Sequence, residues 1–395
     1  MQALRERNFR LYWFGQAISN IGNWMQNVAL GWFVLQIGGS PLTLGFLGLV
    51  QFVPIAVLSL IGGVLADRFL RLRLLLVTQS LSMFLATLLA LLAWLGRPPF
   101  WSLLLIAGLA ATVIAVDNPA RQAFLSDLVP GEAVLQAVSL NASVYNGAAV
   151  IGPSIAGLLL VHVGAALCFS LNALSFLVVV IALLLIDKKR LVLDREHAGA
   201  KVVHVRAIRR LKTPDQLRMI LVVLTIAATV SLLGRPYLLL LPAFARDVQR
   251  VGAQGLGVMV AASGLGSLVG AIFLASLRSS QPLKPLLLLC CAEFGIALTL
   301  FAGVPGFQVT LPLLFCCGAG ATMTMMVANS WLQTAAPPDI RGRIMSLYTL
   351  IAAGFSQLGA LLISGAAIWI GLEHTMLLAG LGVIFVILPG YLLLR

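Results

Sequence analysis

Residues 130–160 read PGEAVLQAVSLNASVYNGAAVIGPSIAGLLL, and residues 337–365 read PPDIRGRIMSLYTLIAAGFSQLGALLISG. At a constant offset of 207 residues, identical residues pair at five positions: Pro130 with Pro337, Ser139 with Ser346, Leu140 with Leu347, Gly147 with Gly354 and Gly152 with Gly359. A four-residue gap also pairs Asn118 and Gln122 with Asn329 and Gln333. The offset is close to half of the 395-residue chain. We therefore predict an internal duplication that produces two related halves.

The composition indicates that both halves lie in a membrane. Hydrophobic residues make up 60% of the chain and charged residues only 10%, against about 45–50% and about 25% in soluble domains. Apolar runs long enough to cross a bilayer as helices recur along the whole chain. Twelve are predicted, at 11–37, 43–66, 74–95, 101–125, 134–160, 164–186, 218–243, 252–278, 283–304, 308–333, 342–370 and 373–394. The predicted fold is an all-α polytopic membrane protein with twelve transmembrane helices in two pseudo-symmetric six-helix bundles.

The positive charge is distributed unevenly over the loops. The net charge is +13 and, if both termini are cytoplasmic, 22 of the 26 Lys and Arg residues lie in cytoplasmic segments. This is the positive-inside bias of membrane proteins. It predicts an integral protein of the bacterial cytoplasmic membrane with both termini in the cytoplasm. The basic excess then reflects membrane insertion, and we predict no nucleic-acid partner.

One long polar segment separates the two halves. We predict an N-terminal six-helix bundle over residues 1–186, a cytoplasmic basic linker over 187–217 and a C-terminal six-helix bundle over 218–395. Within the linker, VVHVRAIRRLK interleaves apolar and basic residues, which is typical of an amphipathic helix on anionic lipid. A solvated connector is the alternative interpretation.

Amide side chains interrupt the first predicted span, in GQAISNIGNWMQNV (residues 15–28). At about 100° per residue they fall on one face of the helix. Amides are costly in lipid, so such a stripe faces either another helix or a water-filled substrate cavity. The candidate cavity residues of this span are Gln16, Asn20, Asn23, Trp24 and Asn27, and Asn329 and Gln333 form a second stripe in the tenth span.

Three charged residues lie well away from the ends of predicted spans, where an unpaired charge costs about 3 kcal/mol or more. Asp117, in the fourth span, either carries a coupling proton or pairs with Arg121 four residues later to lock the inner gate. Arg235, in the seventh span, either binds an anionic substrate or pairs with an acid or with backbone carbonyls. Glu293, in the ninth span, is the second proton-coupling candidate.

The loop after the second span carries a motif of a known family. GGVLADRFLRLR (residues 62–73) resembles the signature of the major facilitator superfamily between its second and third helices. Gly63, Asp67, Arg68 and Arg71 match the signature, whereas Leu70 stands where a second glycine is usual. The resemblance implies that Asp67 caps the start of the eleventh helix and pairs with nearby arginines, as a latch that closes the cytoplasmic side.

The fifth and eleventh spans extend this resemblance. GAAVIGPSIAG is similar to the Gly-Pro signature of the superfamily's exporters, with Gly152, Pro153 and Gly157 in place. These residues are interpreted either as a hinge or as packing residues alone. IRGRIMSLY adds the latch candidates Arg341 and Arg343. Nearly the whole chain resembles the secretion-effector branch, which includes enterobactin-type siderophore exporters and macrolide exporters.

The combined interpretation is a secondary active transporter. We expect export of small amphipathic molecules of drug, macrolide or siderophore type by alternating access, in exchange for protons. An uncoupled facilitator or importer of a metabolite and a lysolipid flippase of the same fold remain open. The sequence contains no H-E-x-x-H, G-x-S-x-G or G-x-x-x-x-G-K-[ST] motif, which disfavours a membrane-embedded enzyme and an ATP-driven pump.

The expected partners are a small-molecule substrate, protons and membrane lipids, and the chain is expected to act as a monomer without a cofactor. All five cysteines lie in apolar runs without C-x-x-C spacing. We therefore predict that they are packing residues and that the chain has no metal site.

Overall fold

The computed structural model describes residues 3–96, 98–188, 191, 214–277, 283–304 and 306–389. Most of the predicted linker lies outside these residues, as does the predicted amphipathic segment. The described chain is almost entirely helical, and short 3-10 helices precede the first and fifth long helices, at Ala3–Arg5 and Gly131–Ala133. The helices are α1 (Arg7–Gln36), α2 (Pro41–Arg68), α3 (Arg71–Trp94), α4 (Phe100–Leu128), α5 (Val134–His162), α6 (Ala165–Leu184), α7 (Pro214–Thr229), α8 (Tyr237–Ala243), α9 (Gly252–Ser276), α10 (Leu283–Gly303), α11 (Phe307–Ala335), α12 (Pro338–Ile370) and α13 (Leu372–Phe385).

The predicted all-α fold with twelve membrane-spanning helices is confirmed. Among the described residues, 11 helical segments are long and apolar enough to cross a membrane, with mean hydropathies of 1.7 to 2.6. The twelfth span is α1, whose 30 residues extend about 45 Å along the helix axis. Its Asn and Gln side chains lower its hydropathy below that of the other spans.

The seventh span is irregular. It runs through α7, a π-helical turn at Val230–Gly234, α8 and a second π-helical turn at Phe244–Val248. Pro236 and Pro242 lie close to these turns, and a proline removes a backbone donor and clashes with the preceding turn. The helix widens instead of ending, so that Arg235 N–H donates to the carbonyl of Val230, 2.9 Å away.

Close packing of the helices divides the chain into two compact units. The first comprises residues 1–38 and 50–202, and the second comprises residues 39–49 and 203–395. In the first unit α1 packs on α5 and α6, and in the second α11 packs on α9 and α10. The start of α2 belongs to the second unit, where a Cβ on Gly45 would lie 2.9 Å from Leu361 Cα. The domain limits proposed at 186 and 218 stay a prediction.

The duplication is visible in equivalent contacts within each unit. A Cβ on Gly152 of α5 would lie 2.7 Å from the carbonyl oxygen of Ile21 in α1. A Cβ on Gly359 of α12 would collide with the carbonyl of Leu232 in the seventh span. The glycines are 207 residues apart and their partners 211 apart, which are the two offsets of the sequence repeat. Because glycine has no side chain, α5 can touch the backbone of α1 in the first unit, and α12 can touch the backbone of the seventh span in the second.

The last turn of each unit repeats as well. Gly164 precedes α6 with φ 90°, and Gly371, 207 residues later, precedes α13 with φ 84°. These positive angles are in the left-handed region that favours glycine. The two halves therefore share both the glycine turn before the last helix and the close glycine contact between helices.

The glycine contacts lead to a stability prediction. Gly152→Ala and Gly359→Ala should each lower the free energy of unfolding by about 1–3 kcal/mol, because the added methyl group overpacks a contact with backbone atoms. The measurement is the thermal unfolding midpoint of the purified protein in detergent micelles.

Each variant has a matched control on its own helix. A Cβ at Gly147 of α5 or at Gly365 of α12 meets nothing within 4 Å. Gly147→Ala and Gly365→Ala should leave stability unchanged or raise it by up to about 1 kcal/mol, because alanine is the better helix former. Equal losses in all four variants would contradict the assigned contacts.

Candidate functional site

A cluster of polar side chains lies buried between helices of the first unit. Asp117 of α4 is 3% exposed. Its Oδ1 accepts hydrogen bonds from Thr78 Oγ1 at 2.6 Å and from Gln79 Nε2 at 2.8 Å, both on α3. Its Oδ2 forms an ion pair with Arg121, whose Nε donates at 3.0 Å. Both carboxylate oxygens therefore have partners, as a buried charge requires.

Arg121 extends the cluster to α1. Its Nη1 donates to the side-chain oxygen of Gln16, which is 1% exposed. Gln16, Thr78, Gln79, Asp117 and Arg121 thus link α1, α3 and α4, and we call them the polar cluster. The spacing of four residues between Asp117 and Arg121 places the two charges on one face of α4. The ion pair that was one of the two interpretations of Asp117 is present.

The other amides of α1 do not join the polar cluster. Asn20 donates through Nδ2 to the backbone carbonyl of Gln16 at 2.8 Å. Asn23 Oδ1 accepts from Asn172 Nδ2 of α6 at 3.3 Å. Asn27 is exposed. The amides of the predicted stripe therefore have different environments: Asn23 contacts a neighbouring helix, Asn20 bonds the backbone of α1, and Asn27 is exposed.

Trp24 lies against α5. Its ring meets that of Tyr145 edge to face with centroids 5.7 Å apart, and its Cβ is one of the atoms closest to Gly152. Pro153 and Gly157 are buried on the same helix. The Gly-Pro residues are packing contacts in this structure, and their role as a hinge stays a prediction.

The predicted cavity residues of the second unit are more accessible. Gln333 is exposed and its Nε2 donates to Asn329 Oδ1, one turn earlier on α11, at 2.8 Å. Arg235 is exposed, and its Nη1 donates to the backbone carbonyl of Ala352 on α12 at 3.0 Å. A carbonyl partner was among the interpretations of Arg235, and the remaining guanidinium N–H groups leave anion binding open.

Glu293 lies on α10 facing α11. Its Oε2 is buried and has no hydrogen-bond partner among the described residues. A Cβ on Gly320 of α11 would collide with this oxygen. A glycine at this position therefore makes room for the carboxyl group. An acid with one unpartnered buried oxygen is chemically suited to hold a proton.

The latch candidates are only partly described. For Gly63, Asp67, Arg68 and Arg343 the structure describes the helical backbone only, so the contacts expected of a latch at these residues stay a prediction. Arg71 forms an ion pair with Asp127 of α4 at 2.6 Å. Arg341 is exposed and donates to the carbonyl of Ala336 at 3.3 Å. Both arginines bind within their own unit.

Thr78, Gln79 and Asn172 were missed by the sequence-based prediction. They are buried polar residues in otherwise apolar spans, and this was the signal that could have identified them. All five cysteines are free thiols. Among the described residues, no group of three or more His, Cys, Asp or Glu side chains is arranged to hold a metal ion.

Twelve spans in two repeated units define a polytopic membrane transporter of the major facilitator type. Residues 1–394 match the model of the transmembrane secretion effector family. The chain belongs to this family of the major facilitator superfamily and is an integral membrane protein.

Relatives and solved structures agree with this assignment. The chain is 27% identical to the staphyloferrin A transporter of Staphylococcus aureus, over 95% of this chain and 93% of that protein. It is 25% identical to the multidrug efflux pump Tap of Mycolicibacterium fortuitum, over 95% and 94%. A bacterial homologue of the human lysosomal transporter Spinster, solved in an inward-facing and occupied conformation, has the same fold, with a TM-score of 0.74 at 14% identity over 100% of this chain and 98% of that one.

The ion pair of the polar cluster leads to a second stability prediction. Arg121→Met should lower the free energy of unfolding by about 3–5 kcal/mol, because it leaves a buried carboxylate without its countercharge. The double variant Asp117→Ala/Arg121→Leu, which removes both charges, should lose much less. Thermal unfolding in detergent micelles measures both.

Arg71→Met is the matched control. It removes the arginine of another ion pair to α4, but the side chains of Arg71 and Asp127 are 31% and 17% exposed. A pair this accessible contributes only about 0–1 kcal/mol. If Arg121→Met and Arg71→Met had equal effects, the burial of the Asp117 charge would not govern the stability of the polar cluster.

Proposed function

We propose that the chain exports small amphipathic molecules of drug, macrolide or siderophore type by alternating access, in exchange for protons. The family and the relatives support the substrate class, since one relative is a siderophore transporter and another a multidrug efflux pump. The coupling to protons rests on one observation, the polar cluster around Asp117.

The internal repeat supplies the argument that this cluster is functional. At an offset of 211, Gln16, Asp117 and Arg121 of the first unit correspond to Ala227, Ala328 and Leu332 of the second. All three of these residues are fully buried. The second unit therefore builds the same helix arrangement with apolar side chains, so the architecture does not require a buried ion pair. A buried charge that the fold does not need is a candidate for function.

The hydrogen bonds of Asp117 suggest how a proton acts. A proton on Oδ2 would occupy the position to which Arg121 donates, and the neutral carboxyl would no longer hold the guanidinium. Arg121 also bonds Gln16, so protonation would loosen the connection between α4 and α1. We infer that proton binding and the α1–α4 contact are coupled through Arg121.

The proposed substrate-binding residues are the amides and the arginine whose side chains are not buried. Asn27, Gln333 and Arg235 are exposed, and Asn329 is partly exposed. Neutral amides suit a large ligand that needs several adaptable hydrogen bonds. Arg235 would add preference for a substrate with an anionic group.

The proposed orientation has both termini in the cytoplasm of a bacterial cell. It rests on the positive-inside distribution of Lys and Arg, and we propose that the transporter works as a monomer. One proton that moves down a membrane potential of about 150 mV releases about 3.5 kcal/mol. This supports a gradient of about 300-fold for a neutral substrate.

The coupling proposal predicts a change of pH dependence in one variant. In everted membrane vesicles whose lumen is made acidic, the wild-type chain should accumulate ethidium, erythromycin or a siderophore above the level of transporter-free vesicles. Asp117→Asn should abolish the dependence of uptake on the pH gradient, because the amide cannot exchange a proton, and should keep counterflow of the same probe.

Two further variants make the result specific. Glu373→Gln makes the same chemical change at an exposed position at the start of α13, and should transport as the wild type does. If Glu293→Gln loses gradient dependence and Asp117→Asn keeps it, the proton site is Glu293. Wild-type counterflow without any response to the gradient would favour a facilitator, and movement of lysolipid alone would favour a flippase.

Alternating access predicts two-sided labelling of the proposed cavity positions. Asn27→Cys and Asn329→Cys, each in a chain without its five native cysteines, should react with a membrane-impermeant maleimide from either side of the membrane. Trp369→Cys is the control, because Trp369 is 88% exposed near the end of a span and should react from one side at most. One-sided or absent labelling at both cavity positions would contradict the mechanism.

A further inference from the structure

A groove runs along the outside of the first unit between α1 and α6. It has a volume of about 580 Å³. Arg7 and Arg10 lie at its end, at the start of α1, and both are exposed. Its walls are apolar, with Phe14, Ile18, Ile181 and Leu185 between 47% and 59% exposed. We call it the α1–α6 groove.

The close approach of the two helices forms the floor of this groove. A Cβ on Gly15 would lie 3.3 Å from the Cβ of Ala182 and 3.5 Å from Val179 Cα. Two small residues thus face each other, while the larger side chains on either side project outward. The result is a channel with apolar walls and a cationic end.

A second groove occupies the outside of the second unit between α7 and the residues that directly follow α13. It has a volume of about 250 Å³ and Arg218 is part of its lining. The other lining residues are apolar or uncharged: Leu221, Val222, Thr225, Ile226, Val386 and Pro389. We call it the α7–α13 groove.

The two grooves are equivalent in the internal repeat. At the offset of 211, Arg7 corresponds to Arg218, Arg10 to Leu221, Leu11 to Val222, Phe14 to Thr225 and Gly15 to Ile226, and all ten residues line their groove. At the offset of 207, Ala182 corresponds to Pro389. Two halves with different sequences have therefore kept a groove and an arginine at the same place.

The arginines of the two grooves have no protein partner in the part of the chain that the structure describes. Neither Arg7, Arg10 nor Arg218 forms an ion pair or a side-chain hydrogen bond with another residue of the described part of the chain. Each lies in the first turns of a membrane-spanning helix, at the level where lipid headgroups lie. A guanidinium at this depth is matched by a phosphate, which it can bind through two parallel hydrogen bonds.

We propose that the two grooves are binding sites for anionic phospholipid, with the phosphate on the arginines and an acyl chain along the apolar walls. The arginines act as the headgroup site because they are the only charged residues among the described residues of either lining. The α1–α6 groove, with two arginines and the larger volume, binds more tightly than the α7–α13 groove, where Leu221 replaces the second arginine. With both termini cytoplasmic, both sites face the inner leaflet.

Native mass spectrometry of the purified full-length chain tests the proposal. The probes are phosphatidylglycerol and phosphatidylcholine with identical acyl chains, titrated in the same detergent. The wild type should retain up to two molecules of phosphatidylglycerol more tightly than phosphatidylcholine. Because one arginine at an anionic lipid surface contributes about fivefold in affinity, Arg218→Gln should weaken one site about fivefold and Arg7→Gln/Arg10→Gln the other about 30-fold.

Two controls separate groove binding from general attraction. Arg5→Gln removes the same charge at an exposed position just before α1 that does not line the groove, and should change neither site. Ile18→Trp keeps both arginines and fills the α1–α6 groove, and should weaken only that site. The proposal is overturned if both lipids bind equally, if Arg5→Gln weakens binding as much as the groove variants, or if Ile18→Trp has no effect.

Discussion

The requirement that polar groups inside a bilayer find partners within the protein governs this structure. Asp117 meets it through hydrogen bonds from Thr78, Gln79 and Arg121, and Arg121 meets it through Asp117 and Gln16. Water cannot replace a lost partner at this depth. The bonds from Thr78 and Gln79 tie α3 to α4 and the bond to Gln16 ties α1 to α4, while the Asp117–Arg121 pair lies within α4. The polar cluster therefore joins α1, α3 and α4, and we propose that a change in the charge of Asp117 is transmitted to α1.

The second unit reaches the same helix arrangement by a different route. It has small and apolar side chains where the first unit has the polar cluster, and its helices approach through glycines. Gly266 and Gly318 allow α9 and α11 to touch backbone to backbone, since a Cβ on either would collide with a carbonyl of the other helix. Dispersion contacts hold these helices together with a hydrogen bond that Ser267 Oγ of α9 donates to the Gly318 carbonyl of α11 at 3.1 Å. A duplicated fold thus carries a buried ion pair in one half and apolar side chains at the equivalent positions in the other.

The residues that recur in both halves do so for two different physical reasons. Gly152 and Gly359, together with Gly164 and Gly371, recur because close contact and a left-handed turn both exclude a side chain. Arg7 and Arg218 recur on an outer surface where packing requires no arginine. Their recurrence is best explained by a ligand outside the protein, and in a bilayer the abundant anion at this level is lipid phosphate.

The sequence by itself determined the membrane location, the number of spans and the duplication. Hydropathy and repeated residues can be read along the chain without knowing which helices pack against each other. It also identified Asp117, Arg235 and Glu293 as charges in a costly place. It placed Gln16, Asn23 and Asn27 on one face of α1 but could not distinguish them, since helical periodicity does not say which helix lies opposite each turn. Only the tertiary structure decided that Gln16 binds Arg121, that Asn23 meets Asn172 and that Asn27 is exposed. The grooves likewise exist only where two helices lie side by side, because neither helix alone encloses a volume.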